Sequence, residues 1–208
     1  MPTIDPSALD PATTVVVATS NAHKVTEIEA ILAPVMPGVT FCALGQLGSF
    51  PEPVEDGDTF AANALIKARA ACDATGLPAV ADDSGLVVDA LGGAPGILSA
   101  RYAGTHGDDA ANNAKLFAEM EGVAGPERTA RFHSSVVLVY PDGRTVTGEG
   151  DCEGMVGHEL RGEHGFGYDP LFWPKETPGR TMAELEPEEK NAISHRFHAL
   201  ADLARHLA

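Results

Sequence analysis

The feature that most constrains the fold is a short β-branched run that leads directly into a helical pattern. The segment Thr14 to Ala18 (TVVVA) is typical of a buried strand. Thr19, Ser20 and Asn21 follow as capping residues, and apolar side chains then recur at helical spacing from Val25 to Leu32. A buried strand followed at once by a helix predicts an α/β unit.

Later segments continue this mixture of strands and helices. The predicted elements are a strand at 39–44, a helix at 59–74, strands at 79–81 and 86–91 around a polar turn, a helix at 108–120, a hairpin at 129–155 and a closing helix at 188–207. This order predicts a mixed β-sheet flanked by helices. The long hairpin indicates a second lobe and therefore a central cleft between two lobes.

The N-terminal segment differs from the rest in composition. Residues 1–13 contain three prolines, two aspartates and no basic residue, so we expect a flexible tail and not a signal peptide. We expect residues 14–208 to form a single two-lobed domain.

Charge restricts the partners of this chain. Its 208 residues include 30 acidic and 14 basic side chains, for a net charge of −16 at pH 7. Such a field repels polyanions, so we expect neither a nucleic-acid partner nor docking on an anionic membrane. It also repels a triphosphate at long range, so any phosphate chemistry requires local cations or a metal. Three of the five lysines, Lys24, Lys67 and Lys190, lie in the motifs described below.

The cysteines indicate a reducing environment. Cys42, Cys72 and Cys152 are odd in number and widely spaced, without a C-x-x-C pair. This pattern argues against a disulfide framework or a zinc site, and we expect a cytoplasmic protein.

Two segments in the N-terminal half of the chain contain candidate residues for binding phosphate and a metal ion. The segment from Thr19 to Lys24 lies between a strand and a helix start, where free backbone N–H groups suit phosphate, although an ordinary helix cap is the alternative. The adjacent carboxylates Asp82 and Asp83 repel each other unless a cation relieves them, which favours Mg²⁺ over a merely exposed acidic turn.

A third acidic segment precedes the helix at 59–74. Glu55 could complete the metal site, or the acidic residues there could simply favour the helix N-terminus. Asn63 and Lys67 are four residues apart, so we expect both side chains on one helical face.

The C-terminal part offers a candidate base site. The glycines of the segment Gly165 to Pro170 let the backbone approach a ligand, Phe166 offers a flat face, and Asp169 can accept from a ring N–H. A turn anchored by a core aromatic residue is the alternative. On the closing helix we expect Lys190, Ser194 and His195 to lie about one turn apart on one face.

Taken in this order, the segments resemble the inosine triphosphate pyrophosphatase family. The matching stretches are ATSNAHKVTEIEAIL, DGDTFAANALIKARAA, ADDSGLVVDALGGAPGILSARYAG, HGFGYDPLFW and EEKNAISHRFHAL. The resemblance implies an elongated mixed sheet, a homodimer, dependence on Mg²⁺, and hydrolysis of dITP, ITP or XTP to the monophosphate and pyrophosphate.

The resemblance also implies a role for each matching residue. Phosphate contacts fall on Thr19, Ser20, Asn21, Ala22, His23, Lys24, Lys67 and Ser84. Glu55 and Asp83 would lie at the metal, with Asp83 as the acceptor of a proton from the attacking water. Contacts with the base fall on Phe166, Gly167, Tyr168, Asp169, Lys190, His195 and Arg196.

One position departs from the family pattern, and two other functions stay open. An acidic residue commonly precedes the helix asparagine in the family, whereas Ala62 precedes Asn63 here. A catalytically silent nucleotide-binding regulator and a Maf-like pyrimidine nucleotide pyrophosphatase are the alternatives to the purine enzyme.

Overall fold

The chain folds into a six-stranded sheet with helices packed against it. The computed structural model describes residues 4–19 and 22–207, with the backbone alone for Ala22 and His23. The strands are β1 (Thr14–Val17), β2 (Thr40–Ala43), β3 (Ala79–Val88), β4 (Thr129–Val139), β5 (Thr145–Val156) and β6 (Phe172–Pro174). The helices are α1 (Ala22–Leu32), α2 (Leu44–Leu47), α3 (Phe60–Thr75), α4 (Asp109–Glu119), α5 (Pro187–Ile193) and α6 (His195–Leu207).

The sheet combines parallel and antiparallel pairs. Its strand order is β2-β1-β3-β4-β5-β6. β1 pairs in parallel with both β2 and β3, whereas β5 and β6 are antiparallel. The mixed sheet predicted from the sequence is confirmed, while the cleft stays a prediction.

The chain divides into two compact units. Unit 1 comprises Met1–Asp83, Ser135–Gly150 and Ala199–Ala208, and unit 2 comprises Ser84–Ser134 and Asp151–His198. The division into a tail and a single two-lobed domain stays a prediction, as does the flexibility of the tail. Within the tail, Pro6–Ala8 form a 3-10 helix and Leu9 packs against the core of unit 1.

Strand alternation explains the core of unit 1. Successive side chains of a strand point to opposite faces of the sheet. Val15 and Val17 accordingly pack in one apolar cluster with Leu32, and Val16 packs in another with Ala68. Unit 1 therefore buries both faces of its sheet, which explains the uninterrupted apolar sequence of β1.

Unit 2 has an apolar core of its own. Leu116 of α4, Phe132 of β4 and Phe172 of β6 belong to one buried cluster. The rings of Phe132 and Phe172 meet edge-on, with centroids 4.7 Å apart. The short strand β6 is absent from the sequence prediction because its three residues carry too little pattern to be recognised.

The segment around Asp82 and Asp83 is a strand and not a turn. β3 runs without interruption from Ala79 to Val88, so the predicted polar turn between two separate strands is wrong. A strand tolerates these acidic residues here because each carboxylate binds a lysine.

The predicted closing helix at 188–207 is also wrong, because two helices occupy that segment. Ser194 separates α5 from α6 and has an extended backbone with ψ of 146°. Its Oγ accepts a hydrogen bond of 3.1 Å from the Phe197 N–H, which is the bond an N-capping serine makes. Lys190 and His195 therefore lie on different helices and do not share a helical face.

The other long elements agree with the sequence. α3 and α4 each begin one residue after the predicted start, because Thr59 and Asp108 are their caps: Thr59 accepts from the Ala62 N–H, and Asp108 accepts from the Ala111 N–H. The hairpin of β4 and β5 is present. No helix in the described part of the chain is long and apolar enough to cross a membrane.

Candidate active site

The two adjacent aspartates of β3 each bind a different lysine. Lys24 Nζ lies 3.0 Å from both Asp82 carboxylate oxygens, and Lys67 Nζ lies 2.7 Å from Asp83 Oδ1. Neighbouring strand residues face opposite sides of a sheet, so the two lysines reach β3 from opposite faces. The predicted repulsion between the carboxylates is thus relieved by two ammonium groups within unit 1.

Lys67 joins Asp83 to a second acidic segment. Its Nζ also lies 3.1 Å from Glu55 Oε2. Glu55 and Asp83, which are far apart in sequence, therefore converge on one cation. The structure brings together the two residues for which a shared metal site is predicted.

Asn63 connects the same groups through hydrogen bonds. Only 1% of this residue is exposed. Its Oδ1 accepts from the Gly57 N–H at 2.9 Å, and its Nδ2 lies 3.5 Å from Asp83 Oδ2. A Cβ on Gly57 would lie 2.8 Å from Asn63 Oδ1, so only glycine permits this approach. Asn63 and Lys67 both reach Asp83, in agreement with their i, i+4 spacing.

The surroundings shift the pKa values of Asp83 and Lys67 upward. Burial raises the pKa of Asp83 above its ordinary value, and the opposing charge of Lys67 offsets this only in part. Burial lowers the pKa of Lys67, but the charge and hydrogen bond of Asp83, together with Glu55, outweigh it and raise the pKa. Lys67 therefore favours its protonated, positively charged form, and it lies beside a carboxylate whose affinity for a proton is raised.

The carboxylates in this network fit a hard divalent cation. In the described part of the chain, no group of three or more His, Cys, Asp or Glu side chains is arranged to hold a metal. Glu55 and Asp83 nevertheless offer oxygen donors that already share one positive partner. Two carboxylates completed by water and substrate phosphate oxygens are the usual protein contribution to a Mg²⁺ site.

The predicted phosphate segment is described only in part. Lys24 lies in the first turn of α1 and is held by Asp82, whose side chain is 3% exposed. Thr19 follows β1 and is half-buried. Ser20 and Asn21 lie outside the described residues, as do the side chains of Ala22 and His23.

Unit 2 contains the predicted base-binding residues, centred on the segment Gly165–Asp169, which we call the base loop. Phe166 is 62% exposed, and Lys190 Nζ lies 4.6 Å from the centroid of its ring. Lys190 Nζ also lies 2.5 Å from Asp169 Oδ2, which accepts a further bond of 2.8 Å from the Phe166 N–H. An aromatic face, a donor and an acceptor thus lie side by side.

Gly165 makes this arrangement possible. Its φ of +78° lies in the left-handed region, and a Cβ would fall 2.0 Å from Asp169 Oδ2. Asp169 is 3% exposed, and burial raises the pKa of its carboxyl group against the lowering effect of Lys190.

The remaining predicted residues differ in their surroundings. The His195 ring stacks on Phe132 with centroids 5.1 Å apart, and Arg196 is buried. Tyr168 is buried in the core of unit 2, and its hydroxyl donates to the Ser99 carbonyl at 2.9 Å. Tyr168 therefore anchors the base loop, and its phenol points away from solvent. Ser84 follows Asp83 in β3 and is half-buried.

Comparison with known proteins places this chain in a family. A sequence model of the Ham1 family matches residues 15–206. The chain belongs to the Ham1 family. This match, together with the dITP/XTP pyrophosphatases described next, confirms the resemblance to the inosine triphosphate pyrophosphatase family that the motifs predict.

Individual members of the family align over nearly the whole chain. A dITP/XTP pyrophosphatase of Desulforamulus reducens is 53% identical over 185 residues, which cover 89% of this chain and 90% of that protein. The dITP/XTP pyrophosphatase of Geobacter sulfurreducens is 53% identical over 195 residues, covering 94% and 96%. The solved structure of a HAM1 protein from Coxiella burnetii superposes with a TM-score of 0.85 at 41% identity and covers 94% of this chain and 98% of that one.

Sequence reasoning missed several residues that shape the site. It gave no partner to Asp82, although a lysine far away in sequence binds it. It also missed the link from Asn63 to Gly57. The signal available for Asn63 was a polar residue on the same helical face as Lys67, but its hydrogen bonds depend on how the preceding loop packs.

Proposed function

We propose that this member of the Ham1 family hydrolyses non-standard purine nucleoside triphosphates, namely dITP, ITP and XTP, to the monophosphate and pyrophosphate. The observation that carries the proposal is the 53% identity to proteins named dITP/XTP pyrophosphatase, which extends over about nine-tenths of both chains. The side chains of both units support it, because the groups needed for each part of such a substrate are present.

The phosphate chain would be bound by the cations of unit 1. Lys24 and Lys67 supply positive charge in a protein with a net charge of −16. Backbone N–H groups of the segment from Thr19 to Lys24 and the Ser84 hydroxyl would add donors. Because Lys24 is already held by Asp82, its ammonium group is ordered before a phosphate arrives.

Glu55 and Asp83 would hold Mg²⁺. When bound there, the ion would supply neutralisation of the negative charge on phosphate oxygens. Their shared contact with Lys67 supports this assignment, because two carboxylates that face a single ammonium group leave an excess of negative charge.

Asp83 would accept the proton of the attacking water. Burial raises its pKa and makes it a stronger base than an ordinary aspartate, while the opposing effect of Lys67 favours the ionised form. The water oxygen would form a bond to the α-phosphorus while its O–H bond breaks and the proton passes to an Asp83 carboxylate oxygen. The bond from the α-phosphorus to the oxygen that bridges it to the β-phosphorus would break, and pyrophosphate would leave with that oxygen. Asn63 would hold that carboxylate in place.

The base loop would select the purine. A 6-keto purine presents an acceptor at O6 beside a donor at N1, and adenine presents the reverse. Lys190 and Asp169 form a neighbouring donor and acceptor that complement the keto form. Unpaired polar groups make a mismatch costly, so ATP is rejected by up to roughly 10⁴-fold. Guanine shares this edge, so its exclusion requires another contact.

Other base contacts complete the assignment. Phe166 would stack on the purine ring, because this side chain is largely exposed to solvent. Gly167 and Tyr168 would lie against the base without hydrogen bonds from the Gly167 backbone, because helix α4 already binds both of its polar groups. His195 and Arg196 would add donors to the base edge.

The proposal extends to the setting of the enzyme. We expect a cytoplasmic homodimer that acts on free nucleotides and binds neither nucleic acid nor membranes. The strong negative charge supports the exclusion of polyanions, and the three cysteines are all buried free thiols, which suits a reducing compartment.

A nucleotide panel tests the function. Purified protein is incubated with dITP, ITP, XTP, GTP, ATP, dTTP and UTP, with Mg²⁺ or with EDTA, and the phosphate products are identified. We expect Mg²⁺-dependent release of pyrophosphate, fastest from dITP, ITP and XTP. Fastest turnover of dTTP or UTP would instead indicate a pyrimidine enzyme, and binding without turnover would indicate a regulator.

A further inference from the structure

Helix α4 binds the central residue of the base loop at both of its backbone polar groups. The Gly167 N–H donates to Asp109 Oδ2 at 2.7 Å, and Asn113 Nδ2 donates to the Gly167 carbonyl oxygen at 2.7 Å. Asp109 and Asn113 are four residues apart, so they lie on one face of the helix. Gly167 immediately follows Phe166 in the chain.

Asn113 is committed to this contact. It is 6% exposed, and its Nδ2 also donates to the Asp109 carbonyl oxygen at 2.8 Å. Both hydrogens of the amide group thus bind carbonyl oxygens, which fixes the orientation of the amide. The buried side chain joins the first turn of α4 to the base loop.

The contact matters because the exposed Phe166 ring depends on its backbone for position. On its N-terminal side, the Phe166 N–H is bound by Asp169. On its C-terminal side, the next residue is bound by Asp109 and Asn113. Tyr168 adds a third anchor through Ser99.

We propose that Asp109 and Asn113 are positioning residues, which hold Gly167 so that Phe166 and Asp169 are placed to receive the purine base. The proposal rests on the proposed function, because it assigns these two residues a role in base recognition. They touch no reacting group, so their effect falls on substrate affinity and base preference more than on the chemical step.

The kinetic test compares variants that lose or keep one hydrogen bond. Asp109→Ala removes the acceptor for the Gly167 N–H, whereas Asp109→Asn keeps an oxygen in that position. We expect Asp109→Ala to raise KM for ITP about tenfold, the equivalent of one lost hydrogen bond, with a smaller change in kcat. Asp109→Asn should restore KM to within about twofold of the parent value.

Asn112 provides the matched control for Asn113. It is also buried on α4, but its side chain binds the Ala103 N–H at 2.7 Å and the Ala100 carbonyl oxygen at 3.4 Å. Asn113→Ala should raise KM for ITP and lower the preference for ITP over ATP, whereas Asn112→Ala should leave that preference unchanged. Thermal unfolding of both variants measures any general loss of stability.

A second measurement does not depend on turnover. Hydrogen exchange of the Gly167 amide reports directly on its bond to Asp109. Exchange should accelerate about tenfold in Asp109→Ala and stay near the parent rate in Asp109→Asn.

The two readouts separate failure of this proposal from failure of the proposed function. If the parent protein prefers ITP but Asp109→Ala and Asn113→Ala keep its KM and preference, the positioning role is wrong. If the parent hydrolyses no 6-keto purine nucleotide, the proposed function fails instead, and the role in base recognition falls with it. Unchanged exchange at Gly167 in Asp109→Ala would overturn the positioning role whatever the substrate.

Discussion

The acidic network of unit 1 and the base loop of unit 2 use charge in different ways. In unit 1, Lys67 binds two carboxylates, those of Glu55 and Asp83, and all three groups retain some exposure to solvent. In unit 2, Lys190 binds a single carboxylate, that of the buried Asp169, and also lies over an aromatic ring. The network of unit 1 carries an excess of negative charge, whereas the ion pair of Lys190 and Asp169 has no net charge.

This difference separates two kinds of recognition. An excess of carboxylate charge attracts a metal ion, and one of the carboxylates can act as the base in a proton transfer. A donor and an acceptor with no net charge, placed beside an aromatic face, can recognise the pattern of acceptors and donors on the edge of a flat ligand. Substitutions in unit 1 should therefore change rate and pH dependence, and substitutions in unit 2 should change the choice of base.

The largest effect is expected for Asp83→Asn. Loss of the proton acceptor should lower kcat by at least about 10²-fold, while nucleotide binding stays measurable. Steady-state kinetics with ITP and a direct binding measurement check this. Asp73→Asn, which removes an equal charge from an exposed position on α3, is the control and should turn over normally. Near-normal turnover in Asp83→Asn would remove it from the mechanism.

The corresponding change in unit 2 is Lys190→Met. Removal of the Lys190 ammonium group should lower the ratio of kcat/KM for ITP to kcat/KM for ATP by about ten- to a hundredfold, because O6 of the base loses its hydrogen-bond donor. The ratio is measured for both nucleotides in the same preparation. Lys175→Met, at an exposed lysine of the same unit, should leave the ratio unchanged. A preserved ratio in Lys190→Met would mean that the base is read elsewhere.

A pH profile sharpens the role of unit 1. Lys67 lowers the pKa of Asp83, so Lys67→Met should raise that pKa further. Because Asp83 must be ionised to accept a proton, the acid limb of kcat/KM should move to higher pH. Arg69→Met, two residues along α3 and exposed, serves as the control. An acid limb that stays in place would indicate that another group controls it.

The smallest effect concerns stability. Thr59 caps α3, the helix that carries Asn63 and Lys67. Thr59→Ala should lower the free energy of unfolding by about 1 kcal/mol, measured by urea denaturation, and Thr59→Ser should retain most of it. The same comparison at the Asp108 cap of α4 would show whether both helices contribute equally. Equal stability of the two Thr59 variants would contradict the capping role.

Local signals predicted much of this molecule correctly. The β-branched β1, the capped helices α3 and α4, and the hairpin of β4 and β5 each have a pattern complete within a few residues. The motifs also identified the family. The errors arose where a local pattern had two solutions: a polar stretch inside β3 reads as a turn, and a serine inside a helical pattern hides a cap.

By itself, the sequence determined which chemical groups are present and in which order, since caps, strand runs and motif residues are local properties of the chain. Only the tertiary structure decided which lysine each aspartate binds, that Asn63 reaches Gly57, and that α4 holds Gly167. The physical reason is that the lysine–aspartate pairs and the contact of α4 join residues 16 to 58 positions apart. The bond from Gly57 to Asn63 is shorter in sequence, but it depends on how the loop before α3 packs. These contacts form through packing of the sheet and its helices, and no spacing along the chain encodes them.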